Sequence, residues 1–64
     1  MNINRMIKEL ENYYMSISET ITRLDEDLDN GKDVADVIRK LTDESFDVLD
    51  AIKALRKVNK YNIP

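Results

Sequence analysis

The chain has 64 residues, of which 42% are hydrophobic and 36% charged, and its formal net charge is −3 at pH 7. A chain this short hides only about 60% of its unfolded surface on folding, so it needs support from disulfides, a metal or oligomerisation. It has no cysteine and no histidine, which excludes disulfides and leaves only oxygen ligands for a metal. No apolar run approaches the roughly 18 residues of a membrane span. We expect a soluble, unprocessed protein in the reducing cytoplasm.

The charge is distributed unevenly along the chain. Between Asp25 and Asp50 there are ten acidic and three basic residues, whereas the four charges that follow are all basic. Acidic residues at the start of a helix and basic residues at its end suit the helix dipole. For the second half of the chain we therefore favour this structural explanation over a functional one.

The first element is a helix predicted from a continuous heptad pattern. Apolar residues recur at alternating spacings of four and three, which is typical of a coiled-coil seam. Asn2 or Asn4 can cap the start, and Asn30-Gly31 suits the left-handed conformation that commonly ends a helix. The helix is predicted over about residues 3–29. Its seam consists of Ile3, Ile7, Leu10, Tyr14, Ile17, Ile21, Leu24 and Leu28.

A turn over about residues 30–33 separates this helix from a second one over about residues 34–60. Asp33 is a candidate N-cap, and Asn62-Ile63-Pro64 ends the helix because the residue before a proline avoids the helical region. The second seam consists of Val34, Ile38, Leu41, Ser45, Val48, Ile52, Leu55 and Asn59.

The two seams are out of phase by one residue, which favours chain reversal at Gly31 over one continuous helix. We therefore predict an all-α fold: a single domain over residues 1–64, formed by an antiparallel, coiled-coil-like two-helix hairpin. In such a hairpin Tyr14 lies near the level of Val48, and Ile17 near the level of Ser45. The small Ser45 side chain leaves room for the Tyr14 ring.

Apolar residues outside the seams need a second partner, because two helices in contact bury only one stripe each. We expect a homodimer in the form of a four-helix bundle, with docking of a different protein as the alternative. The predicted protein-binding residues are an apolar set, Tyr13, Met15, Phe46 and Leu49, and an acidic row on the second helix, Asp36, Asp43, Asp47 and Asp50.

No catalytic residue, cofactor or metal site is predicted, because no group that titrates near neutrality and no paired nucleophile and base are visible. Glu26-x-x-Asp29 and Glu44-x-x-Asp47 resemble the acidic motifs of all-α nucleotide pyrophosphohydrolases, which bind magnesium between helices. A hairpin, however, separates the level of Asp29 from Glu44 by about eleven residues, or 16 Å. The chain is therefore expected not to be an enzyme.

The functional hypothesis is a protein-interaction module that regulates or inhibits another protein. Its acidic surface approximates a line of phosphates and could mimic DNA, and its size and class suit an accessory factor of a phage or mobile element. One alternative is a nucleic-acid-associated dimer that uses the basic end. Another is a structural subunit of a coiled-coil assembly. The basic end consists of Lys53, Arg56, Lys57 and Lys60, with Tyr61.

Overall fold

The computed structural model describes residues 2–61, which form two helices packed against each other as a hairpin. Helix α1 spans Ile3–Asp29 and helix α2 spans Ala35–Tyr61, with 27 residues each. The hairpin measures 54 × 15 × 14 Å. The predicted all-α hairpin is confirmed. Neither described helix has the length and apolar character needed to cross a bilayer.

Helix α1 begins at a side-chain cap. Asn2 has an extended backbone (φ −97°, ψ 99°), and its Oδ1 accepts a hydrogen bond from the backbone N–H of Arg5 at 3.0 Å. This bond gives a partner to one of the N–H groups that the first turn of a helix leaves without an intrahelical acceptor. Of the two asparagines predicted as caps, Asn2 is the one used.

Helix α1 ends in a Schellman motif centred on Gly31. The glycine has φ +86°, a left-handed conformation that other residues adopt at a cost. Its N–H donates to the carbonyl of Leu28 at 3.0 Å, and the N–H of Lys32 donates to the carbonyl of Asp27 at the same distance. Both bonds give partners to carbonyls at the helix end. The Lys32 ammonium also lies 3.3 Å from the Asp27 carboxylate.

Helix α2 begins one residue later than predicted, and Asp33 is not at the capping position. The first helical hydrogen bond runs from the N–H of Ile38 to the carbonyl of Val34 at 3.0 Å, so Val34, whose side chain has no acceptor, occupies the N-cap position. The N–H of Val34 donates to the carbonyl of Lys32, so Asp33 lies in a bend one residue too early to cap. The predicted stop at residues 62–64 lies outside the described residues.

The core follows the two predicted seams. Ile7, Ile17, Val48 and Ile52 are buried, and six seam residues pack around them: Ile3, Leu10, Tyr14, Ile21, Leu41 and Leu55. Leu28 is the exception among the seam positions, because its side chain is 42% exposed. It lies at the last turn of α1, where the chain reverses and no further turn of α2 covers it.

Ser45 is buried in the seam of α2 and has a hydrogen-bond partner of its own. Its Oγ donates to the carbonyl of Thr42 at 2.6 Å, while the Thr42 hydroxyl donates to the carbonyl of Ile38 at 2.8 Å. The hydroxyl therefore carries no unpaired-donor penalty in the core. Ser45 therefore has a structural role: it is a small residue between the helices, and its hydroxyl is hydrogen-bonded within its own helix.

Candidate protein-interaction faces

Two contacts between the helices define the two open sides of the hairpin. Arg56 Nη2 donates to Glu11 Oε2 at 2.6 Å, and Tyr13 Oη donates to Glu44 Oε1 at 2.5 Å. Glu11 and Tyr13 are two residues apart and therefore point to opposite sides of α1. Each contact thus identifies the ridges of α1 and α2 that border one side.

The side with the Glu11–Arg56 ion pair is called the Phe46 face. Its ridges continue at spacings of three and four residues, so their side chains lie in a row along each helix. Phe46 and Met15 are 59% and 58% exposed, whereas Leu49 is half-buried. The main members are Lys8, Glu11, Met15, Ser18 and Asp25 on α1, and Thr42, Phe46, Leu49, Lys53, Arg56 and Lys60 on α2.

The opposite side, with the Tyr13–Glu44 bond, is called the Tyr13 face. Tyr13 is 45% exposed, and Val37 and Val58 are also exposed. Met6 on the same ridge of α1 is half-buried. The main members are Met6, Tyr13, Thr20 and Asp27 on α1, and Val37, Glu44, Ala51, Ala54 and Val58 on α2.

The four apolar residues predicted as one binding set are divided between these faces. Met15, Phe46 and Leu49 share the Phe46 face, whereas Tyr13 lies on the other side. The separation follows from the helix itself, because two residues correspond to about 200° of rotation between Tyr13 and Met15. The four residues lie at similar heights along the hairpin, but a similar height does not place side chains on the same face.

The sequence reasoning did not identify Glu44 or the Glu11–Arg56 pair as parts of these faces. The heptad pattern does indicate these positions, because Glu11, Glu44 and Arg56 each stand next to a seam residue. Antiparallel helices exchange polar contacts at such flanking positions. A further polar contact between the helices joins Nδ2 of the seam residue Asn59 to Asn4 Oδ1 at 2.8 Å. The pattern could therefore have named the flanking positions, but the choice of partners needs the register.

The acidic row lies on the outer side of α2. Asp36, Asp43 and Asp50 follow one another at intervals of seven residues, Asp47 stands one turn from Asp43 and Asp50, and all four are exposed. Asp36 forms an ion pair with Arg39 at 3.3 Å. No salt bridge of the other three occurs within residues 2–61.

The fold alters the ionisation of Tyr13. The hydrogen bond that its phenol donates to the Glu44 carboxylate raises the pKa of Tyr13 above its ordinary value, and partial desolvation and the negative charge of Glu44 act in the same direction. The phenol therefore stays protonated and can remain the donor in this contact at neutral pH.

Folding collects the charges into two oppositely charged halves. The half next to the turn, residues 17–47, holds ten acidic and four basic residues. The open half, residues 2–16 and 48–61, holds three acidic and six basic residues. One of the predicted basic-end residues, Arg56, is engaged with Glu11. The hairpin is thus electrically polar along its long axis.

Across residues 2–61, no three acidic side chains are grouped closely enough to hold a metal ion together. The chain matches no protein-family model, no curated protein and no solved structure.

Proposed function

We propose that this chain is a non-enzymatic protein-interaction module that forms a homodimeric four-helix bundle in the cytoplasm and regulates or inhibits another protein. The observation that carries the proposal is the exposure of large apolar side chains on both sides of the hairpin. Phe46, Met15 and Tyr13 each expose close to half or more of their surface, at the middle of the helices. Aromatic and methionine side chains at such positions are favoured anchors of protein interfaces.

The acidic row is the surface that we assign to the regulated protein. Asp43, Asp47 and Asp50 are exposed, and they stand three or four residues apart on consecutive turns. Their carboxylates are thus spaced by about 5–6 Å along the helix, a separation that approximates a line of phosphates. A basic, nucleic-acid-binding surface on a target would be attracted to such a row.

The test uses affinity capture with matched charge variants. A tagged wild-type chain is compared with Asp47→Asn/Asp50→Asn and with Glu19→Gln/Glu26→Gln, which removes two acidic charges from α1. We expect wild type and the α1 variant to retain the same captured protein, and the α2 variant to lose it. Equal capture by all three chains would contradict the assignment to the acidic row.

Nucleic-acid association through the basic end is the alternative, and the surplus of basic residues in the open half supports it. Lys57 and Lys60 are exposed there, although Arg56 is engaged with Glu11. Binding to DNA that weakens steeply with salt would support this alternative and would contradict the hypothesis that the acidic row mimics DNA. Absence of DNA binding at low salt would favour the protein-interaction module.

A further inference from the structure

The apolar residues of the Phe46 face lie at the midpoint of the hairpin. The middle residues of α1 and α2 are Ser16 and Val48. Met15 is adjacent to the first, and Phe46 and Leu49 lie on either side of the second. A two-fold axis through this point would bring the apolar centre of one hairpin onto the same centre of another copy. Interfaces around a two-fold axis need this kind of self-complementary patch.

The charge distribution selects the orientation of such a pair. With two copies side by side in the same direction, the two acidic turn halves would meet. In the antiparallel orientation the turn half, with ten acidic and four basic residues, lies over the open half, with three acidic and six basic residues. Opposite potentials then face each other along the whole length, which favours association and sets the orientation.

Individual charges at the border of the Phe46 face agree with the antiparallel arrangement. With the axis between Phe46 and Leu49, Lys53 lies within one residue of the level of Asp43 of the second copy. Lys60 lies within one residue of the level of Asp36 of the second copy. All four side chains are exposed in the single hairpin. The result is an apolar centre with a charged rim, which is the usual anatomy of a protein interface.

Arg39 and Arg56 are the like charges that would come level in this arrangement. Each already has a carboxylate partner within its own chain, Asp36 for Arg39 and Glu11 for Arg56. Their mutual repulsion is thereby reduced, because each carboxylate attracts the arginine of the other copy and salt screens charges that are exposed to solvent.

The Tyr13 face lacks the same complementarity. Its turn half carries three acidic and two basic residues, and its open half carries Glu9, which forms an ion pair with Arg5. The charged residues of the turn half are Arg23, Asp27, Lys40, Glu44 and Asp47. An antiparallel pair formed through this face would therefore set two halves of nearly balanced charge against each other, with little attraction between them. The charge pattern thus distinguishes the two faces even though both expose apolar side chains.

We propose that the Phe46 face is covered by a second copy of the hairpin, which runs antiparallel about a two-fold axis near Phe46 and Leu49. This inference rests on the self-association part of the proposed function and specifies its geometry. It leaves the Tyr13 face and the outer carboxylates Asp47 and Asp50 exposed on both sides of the bundle.

Sedimentation equilibrium tests which face associates. Phe46→Asp introduces a charge at the centre of the Phe46 face, and Val58→Asp introduces the same charge on the Tyr13 face, where Val58 is similarly exposed. We expect wild type and Val58→Asp to be dimers at micromolar concentration. The dimer dissociation constant of Phe46→Asp should be at least about 100-fold higher than that of wild type. A monomeric wild type, or dissociation only of Val58→Asp, would overturn the inference. Circular dichroism reports whether each variant stays helical.

A distance measurement tests the orientation without disturbing the apolar centre. Because the chain has no cysteine, Lys60→Cys accepts a single nitroxide label. In the antiparallel dimer the two labelled positions lie about 37 Å apart, whereas in a parallel dimer they lie within about 20 Å. A short distance in a sedimenting dimer would overturn the antiparallel geometry. It would leave the capture experiment on the acidic row, and thus the regulatory function, unaffected.

Discussion

Ile52 has the lowest exposure of the buried core residues, at 3%, and lies in the cluster with Ile7, Ile17 and Val48. Replacement of such a side chain by alanine removes apolar contacts and leaves a cavity that the surroundings fill only partly. For Ile52→Ala we expect the free energy of unfolding to fall by about 2–5 kcal/mol, measured by urea denaturation.

Val37→Ala is the matched control for this loss, because Val37 lies on the same helix but is exposed. Its effect should stay within about 0.5 kcal/mol, apart from the small gain in helix propensity. Equal effects of the two substitutions would mean that the seam around Ile52 does not form the core.

The Tyr13–Glu44 bond predicts a loss of stability in alkaline solution. Because the folded state raises the pKa of Tyr13, the unfolded chain loses this proton first. The contribution is therefore fully present below the unfolded value near 10 and is lost as the pH rises through the folded value. We expect the denaturation midpoint of wild type to fall more steeply above pH 10 than that of Tyr13→Phe.

The comparison with Tyr13→Phe cancels every effect of pH that the two chains share. Parallel pH profiles of the two chains would show that the phenol–carboxylate bond does not contribute in solution. The bond could not be predicted at the level of single residues, because Tyr13 and Glu44 are 31 positions apart and meet only through the register of the helices.

At the scale of the elements, the Gly31 turn makes a specific prediction. A Cβ at this position would meet no atom within 4 Å, so a substitution is opposed by the backbone conformation alone. With φ at +86°, Gly31→Ala should lower the free energy of unfolding by about 1–2 kcal/mol. Asparagine tolerates the left-handed region better, so Gly31→Asn should cost less, as measured by thermal or urea denaturation.

A larger loss of stability for Gly31→Asn than for Gly31→Ala would argue against the left-handed turn.

The existence of the helices and the position of the turn were predictable, since both depend on local periodicity and on the conformational freedom of glycine. The start of α2 was not, because the turn hydrogen bonds of Gly31, Lys32 and Val34 put Val34 rather than Asp33 at the N-cap position. Element ends depend on such cooperative bonds.

At the scale of the whole molecule, self-association predicts a melting temperature that depends on protein concentration. Dimerisation stabilises the folded chain by mass action, so the melting temperature of wild type should rise with each tenfold increase in concentration. Circular dichroism melts over a hundredfold range would measure the trend. Phe46→Asp should melt at a temperature independent of concentration, and the same behaviour in wild type would contradict a dimer.

The sequence by itself determined the all-α hairpin, the two seams and the buried positions between them, because a heptad pattern specifies the buried stripe of each helix wherever the helix lies. Only the tertiary structure decided which flanking residues meet. Tyr13 joins Glu44 on one side, while Glu11 joins Arg56 on the side of Phe46. The partners depend on how the two helices are aligned and rotated against each other, and no local pattern in either helix contains that information.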